Sequence, residues 1–272
     1  MIGPIVDSSD AHIIQVPAMI RNILWDIDGV LFDTYTAVTY TISRALSRLG
    51  HPVALNVLDN LACLSLDACI DVLAKHFRLD PAQVRNIAEE IYVRIPLSNQ
   101  PEMPGARALC EWVHQHGGKN LILTHRSTEM SRAFLRVHSM EHLIDGIFSI
   151  DQGYLPKPDP SMVLAAIESH ALKPEETLII AQRVLEIEAG LKAGVPTCLI
   201  GKAAMAGSAD FRIQNYDFLQ ERLEALSIAS GAQAQNPRFL APYALSSTAL
   251  NRLPTANPCI PGILIVKPRC DI

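Results

Sequence analysis

Beyond Pro104 the chain alternates between short apolar runs and segments with helical spacing. Residues 106–114 read as a helix stopped by Gly117 and Gly118, and NLIL at 120–123 reads as a strand. The same exchange repeats: helix at 127–137, strand at 146–150, helix at 160–170 with Asp159 as cap, strand at 177–181, helix at 186–193, strand at 197–200. A last strand at 211–213 precedes a helix near 218–226. Apolar runs this short, separated by helices, predict an α/β fold: a doubly wound, Rossmann-like parallel sheet with helices on both faces. Such a sheet binds ligands beyond the carboxyl ends of its strands.

The first strand of this sheet is expected upstream, where IRNILW at 20–25 runs straight into an acidic turn. Between it and Pro104 the pattern is helical only. Apolar residues recur at Val38, Ile42, Ala45, Leu46 and Leu49 before Gly50, a second helix is expected at 66–77, and a third starts at Asp80-Pro81 with Val84, Ile87 and Ile91 on one face. The expected organisation is therefore an extension at 1–19, a core of 20–34 with 105–228, an inserted all-helical cap at 35–104, and a tail at 229–272. The tail has six prolines, few charges and no amphipathic period, so it is expected to be poorly ordered or loosely docked. GILIV at 262–266 is its one strand-like run.

Composition narrows the function classes. A formal net charge of -5 offers no basic surface for nucleic acid. The N-terminal twenty residues have no basic stretch and no long apolar run, so neither a signal peptide nor a membrane span is expected. The six cysteines form no C-x-x-C pair and lie mostly in apolar segments, which suits free thiols in a reducing, cytoplasmic setting. The nine histidines form no spaced metal cluster. The expected state is a monomer or homodimer.

The chemistry concentrates in Asp26-Ile27-Asp28-Gly29-Val30-Leu31-Phe32-Asp33-Thr34, directly after the first strand. Two carboxylates two residues apart on a tight turn can divide the work of attacking an electrophile and shuttling a proton. A lone D-x-D is also what an acidic turn looks like. Gly29 and the Asp33-Thr34 pair favour a sharply bent, built turn, with Asp33 in a structural, capping role.

This run resembles the first motif of the haloacid-dehalogenase-like superfamily, D-x-D-G-x-x-x-D-[ST]. Thr124 after the apolar strand resembles the second motif, Lys157 in Leu155-Pro156-Lys157-Pro158-Asp159-Pro160 the third, and 179–194 the fourth. Four motifs in order at strand ends are far more specific than any one. The likeness spans about 20–228, and the helical insert corresponds to the small cap of the phosphoglycolate-phosphatase-like branch. It implies a phosphatase of a small phosphorylated metabolite. Asp26 would attack phosphorus and form an aspartyl-phosphate, and Asp28 would serve as acid and base. Thr124 and Lys157 would hold the phosphoryl oxygens. A Mg2+ at Asp26, the Asp28 carbonyl and the fourth motif would offset charge. The presence of Asp28 argues against haloacid dehalogenation. A phosphonate hydrolase would need a cap lysine, for which Lys75 is the one candidate in 35–104. His125 and Arg126 follow Thr124, and for them a substrate-facing and a surface position are equally open.

The fourth motif departs from the pattern Gly-Asp-x-x-x-Asp. Here it reads Ala181-Gln182-Arg183-Val184-Leu185-Glu186, so the direct metal carboxylate has become Gln182 and the second aspartate Glu186. A neutral amide oxygen is a poor exchange for a carboxylate at a hard cation, although Glu186 can reach further inward. Ala181 adds a methyl where glycine stands in the pattern. Two readings follow: a Mg2+-dependent phosphatase with metal ligands Asp26, Asp28 and Glu186, or a weak or silent relative that binds or regulates.

Overall fold

The computed structural model describes residues 20–62, 66–201 and 209–234. The extension at 1–19 and GILIV at 262–266 lie outside these residues, as does the tail beyond Ala234. Six strands form one sheet: β1 (Asn22–Trp25), β2 (Asn120–Thr124), β3 (Gly146–Ser149), β4 (Thr177–Ala181), β5 (Thr197–Ile200) and β6 (Phe211–Ile213). Their order is β3-β2-β1-β4-β5-β6, and every neighbouring pair is parallel. The doubly wound α/β class expected from the alternating pattern is therefore the observed one.

The period of two along each strand sorts its side chains between the faces. Ile23 and Trp25 of β1, Ile122 of β2 and Ile180 of β4 point to one core, completed by Leu109 and Val113 of α5 (Ala106–Gln115), Phe134 of α6 (Thr128–Val137) and Leu219 of α9 (Tyr216–Ala234). Leu24, Leu121, Leu123, Ile179 and Ala181 point to the other, against Met162 and Val163 of α7 (Ser161–Ser169) and Ile187 of α8 (Val184–Ala193). Burial on both faces is why these strands are apolar throughout rather than alternating.

Between β1 and β2 the described chain is helical: α1 (Tyr35–Arg48), α2 (Leu55–Ala62), α3 (Leu66–Phe77) and α4 (Pro81–Tyr92). They share a separate apolar cluster, with Ile42, Leu46, Leu58, Leu73 and Val84 at its centre. The chain enters and leaves this insert side by side: Phe32 and Glu102 form an antiparallel bridge, Asp33 N–H donates to Pro101 O at 2.8 Å, and Met103 N–H donates to Leu31 O at 2.8 Å. A two-stranded neck of this kind is a natural pivot.

Several local expectations are met by geometry. Asp80 accepts from Ala82 N–H with Pro81 at the first helical position, and Asp33 accepts from both the N–H and the hydroxyl of Thr36. Other boundaries differ. The helix α2 has no counterpart in the sequence reading, because eight residues without a capping signal carry too little period to stand out. Pro160, not Asp159, occupies the N-cap position of α7, yet Asp159 still accepts from Ser161 N–H at 2.9 Å. The last helix runs through Ala234, past residue 229 where the tail was expected to begin. Among the described residues no helix is long and apolar enough to cross a membrane.

Candidate active site

The strand order decides what meets what. Neighbours β2, β1 and β4 end together, so Thr124, the last residue of β2, and Asp26 and Gln182-Arg183, which follow β1 and β4, arrive at one place, joined from the β3 side by the loop carrying Lys157. The turn after β1 is tightly bonded: Leu31 N–H donates to Asp26 O at 3.2 Å, Phe32 N–H to Ile27 O at 3.0 Å, and Gly29 N–H to Phe32 O at 2.8 Å. Tyr216 of α9 pins it from below, its hydroxyl donating to Val30 O at 2.7 Å. Gly29 has φ +70°, and a Cβ there would lie 1.7 Å from Gln182 Oε1 and 2.2 Å from the Tyr35 ring. Only glycine fits both the backbone and the space.

Asp26 is buried, at 3% exposure. Its Oδ1 accepts from Ile27 N–H at 2.8 Å, and its Oδ2 faces two cations. Lys157 Nζ stands 3.3 Å from Oδ2, and Arg183 Nη2 stands 3.1 Å from it. Glu186, in the first turn of α8, closes the figure: its Oε1 is 3.2 Å from Lys157 Nζ and 2.6 Å from Arg183 Nη2. Lys157 also donates to Leu123 O at 3.0 Å. Two carboxylates and two cations thus alternate in a buried group of zero formal charge. Burial by itself pushes the Glu186 carboxyl up, but Lys157 and Arg183 outweigh it and hold that group below the usual carboxylate range. Burial likewise works against a charged Arg183, and Glu186 with Asp26 overcomes it, so the guanidinium stays protonated.

A second arginine engages the second aspartate. Arg126 donates to Asp28 from Nε at 3.0 Å to both oxygens and from Nη2 at 2.7 Å to Oδ1. Thr34 Oγ1 donates to the same Oδ1 at 2.7 Å. Arg126 Nη2 also donates to Tyr92 Oη at 2.8 Å, and the Tyr92 hydroxyl donates to Gln100 Oε1 at 2.9 Å. Since Tyr92 ends α4, Asp28 is connected through Arg126 to the helical insert. The guanidinium lies over the rings of Phe134 at 5.0 Å and Tyr92 at 5.7 Å. His125 accepts from Lys157 N–H at 2.8 Å through Nε2, which fixes the neutral tautomer protonated on Nδ1. Burial first, then the Lys157 charge, lowers its pKa.

The structure therefore brings Asp26, Lys157 and Glu186 into direct contact, with Thr124 fully buried at the adjoining strand end, where its Oγ1 accepts from Arg126 N–H. Asp28 lies on the same turn as Asp26, but its carboxylate is held by Arg126. Gln182 is beside Gly29, and its Oε1 is buried without a partner. The Ala181 methyl packs into the core on the α7–α8 face. Sequence reasoning left Arg126 open and gave Arg183 no role. The signal for Arg183 in the sequence was slight: a cation stands directly after Gln182, where the pattern has a carboxylate.

The residues present do not fit the Mg2+ that the fold implies. Mg2+ needs a near-octahedral set of oxygens at about 2.0–2.1 Å, anionic ones among them. Asp26 Oδ2 and Glu186 Oε1, carboxylate oxygens that such an ion would need, both accept from Arg183. The buried side-chain oxygens here without a partner are Gln182 Oε1, the Tyr35 hydroxyl and a single carboxylate oxygen, Glu186 Oε2. Among the described residues no group of three His, Cys, Asp or Glu side chains is placed to hold a metal.

Residues 23–200 match the model of the haloacid dehalogenase-like hydrolase family. The chain belongs to this family. It is 27% identical over 206 residues to a phosphoglycolate phosphatase of Aquifex aeolicus, covering 74% of this chain and 92% of that one. It is 24% identical over 189 residues to the pyrophosphatase PpaX of Halalkalibacterium halodurans, covering 68% and 85%. Among solved structures, a HAD family hydrolase from Deinococcus radiodurans with bound phosphate and sodium superposes with a TM-score of 0.67 at 19% identity, over 79% of this chain and 98% of the other. A subfamily IA hydrolase from Geobacter sulfurreducens gives 0.57 at 22% identity, over 75% and 96%. These likenesses carry the fold; the chemistry rests on this chain's own residues.

Proposed function

We propose that the protein hydrolyses a phosphoric monoester of a small metabolite, with Asp26 as nucleophile. The observation that carries this reading is the buried Asp26 carboxylate at the end of β1 with Lys157 Nζ 3.3 Å away. A carboxylate attacks an anionic phosphorus only where positive charge offsets the repulsion. Lys157 and Arg183 supply that charge at Asp26 Oδ2, and Thr124 adds a hydroxyl from the next strand. In this reading Asp28, released from Arg126, takes up a proton from solvent and gives it to the leaving oxygen as Asp26 displaces the alcohol and becomes an aspartyl-phosphate; Asp28 then takes a proton from the water that attacks this phosphorus, which frees Asp26 and releases phosphate. Asp28 acts when Arg126 moves aside, and Arg126 is tied to the insert through Tyr92, so cap motion and proton transfer are coupled. The names of the relatives, mostly phosphoglycolate phosphatases, support a small anionic substrate. Free, buried thiols at Cys69, Cys110 and Cys198 support a cytoplasmic setting.

The test is phosphate release from a panel of phosphorylated metabolites and an aryl phosphate, with trapping of the acyl-phosphate by hydroxylamine. Turnover that Asp26→Asn abolishes, in a protein with unchanged circular dichroism, is the expected result. Turnover that survives the substitution removes Asp26 from the role.

A further inference from the structure

We infer that the Arg183 guanidinium occupies the divalent-cation position of this site, so that the protein takes up a phosphoryl group without a metal ion. The inference deepens the phosphatase reading and rests on it for the identity of the ligand. Three observations carry it.

The first is position. An ion shared by Asp26 Oδ2 and Glu186 Oε1 would have to lie between those oxygens. Arg183 Nη2 is already there, 3.1 Å from one and 2.6 Å from the other. Guanidinium and ion cannot both bridge the pair. The second is charge. Asp26 and Glu186 carry two negative charges, and Lys157 and Arg183 carry two positive ones, all with side chains no more than 16% exposed. A divalent ion added to this group on its own, with no phosphate beside it, would leave a surplus of two positive charges in a poorly solvated site, which burial strongly disfavours. The third is the neighbour. Gln182, at the position where the family pattern has a metal carboxylate, offers only a neutral oxygen, and that oxygen is buried without a partner. The neutral side chain at 182 and the fixed cation at 183 thus act together against a divalent ion.

Arginine suits the task. It remains charged at any working pH, is weakly hydrated compared with an ammonium or a small divalent ion, and presents a planar fork that matches phosphate oxygens. Arg183 Nε is buried without an acceptor, which leaves it a donor to spare when a phosphoryl group arrives. Held at the start of α8, the side chain is also added to the positive end of that helix.

The experiment uses the full chain. Mg2+ and orthophosphate are each titrated calorimetrically, the latter with a chelator and again with excess Mg2+. The inference expects no saturable Mg2+ binding by wild type, and orthophosphate affinities with and without Mg2+ that agree within about twofold. It also expects Arg183→Ala to weaken orthophosphate at least tenfold in chelator. Saturable Mg2+ binding by wild type overturns it. So does orthophosphate binding that needs Mg2+, the absence of orthophosphate binding in either condition, or a folded Arg183→Ala protein with unchanged affinity. If Arg183→Ala does not fold, the wild-type titrations decide alone. Failure of the phosphatase reading is seen separately, as turnover that persists in Asp26→Asn, and leaves the metal titration standing.

Discussion

Replacing Glu186 by glutamine removes one negative charge from the buried group and little else. The side chain is 4% exposed and its Oε1 faces Lys157 Nζ at 3.2 Å and Arg183 Nη2 at 2.6 Å. After the change, Lys157 and Arg183 share Asp26 alone, and one positive charge is left uncompensated in a dry setting. Each lost attraction is large before solvation, about 5 kcal/mol at 3 Å with an effective dielectric constant of 20. The folded protein does not lose that sum, because the native group has already given up its hydration. Breaking a buried pair by removing one partner costs about 3–5 kcal/mol. Glutamine still accepts a hydrogen bond through Oε1, which places the expectation at the lower end, about 3 kcal/mol. For a folded region of roughly 200 residues each kcal/mol shifts Tm by about 2–4 °C, so Glu186→Gln should lower Tm by about 6–12 °C. The assay is thermal unfolding followed by circular dichroism at pH 7, in buffer free of phosphate and again with added orthophosphate. The variant's surplus positive charge invites an anion, so orthophosphate should recover part of the lost Tm and raise the variant more than wild type. A Tm within about 2 °C of wild type would show that Glu186 is not part of a charge-balanced group. Equal stabilisation of both proteins by orthophosphate would show that the group does not face the anion site.

Two further outcomes are expected. Tyr92→Phe deletes the hydroxyl between Arg126 and Gln100, a loss of about 1 kcal/mol, and should speed amide exchange at Thr34 and Met103 in the neck; exchange at the wild-type rate there would mean that this bond does not hold the insert down. His125 has its pKa lowered in the folded protein, so the unfolded chain binds the extra proton first. Its contribution to stability is full above the unfolded value of about 6.5 and is lost as pH falls through the folded value. His125→Gln, which keeps an acceptor for Lys157 N–H but cannot titrate, should therefore lose less Tm between pH 7 and 5 than wild type, and parallel Tm profiles would contradict this.

Much of the molecule is written in short-range signals. The alternation of apolar runs with helical spacing beyond Pro104 requires a parallel sheet, and the position of Asp26 and Thr124 at the ends of apolar runs puts them at its carboxyl edge, while Lys157 is brought there by the longer loop after β3. The bond of Asp33 to Thr36, one residue before the N-cap position of α1, and the cap of Asp80 on α4 are equally local, since each depends on a backbone N–H two or three residues away. What the sequence left undecided is which long side chains fill the cleft between those strand ends. Arg126 reaches Asp28 across 98 residues and Arg183 reaches Asp26 across 157. Neither contact has a period or a motif, because an arginine of several rotatable bonds points wherever charge and space allow. The sequence by itself shows a neutral amide, Gln182, where the family pattern has a carboxylate. Only the tertiary structure, by setting β4 beside β1, decided that the next residue's guanidinium stands between Asp26 and Glu186.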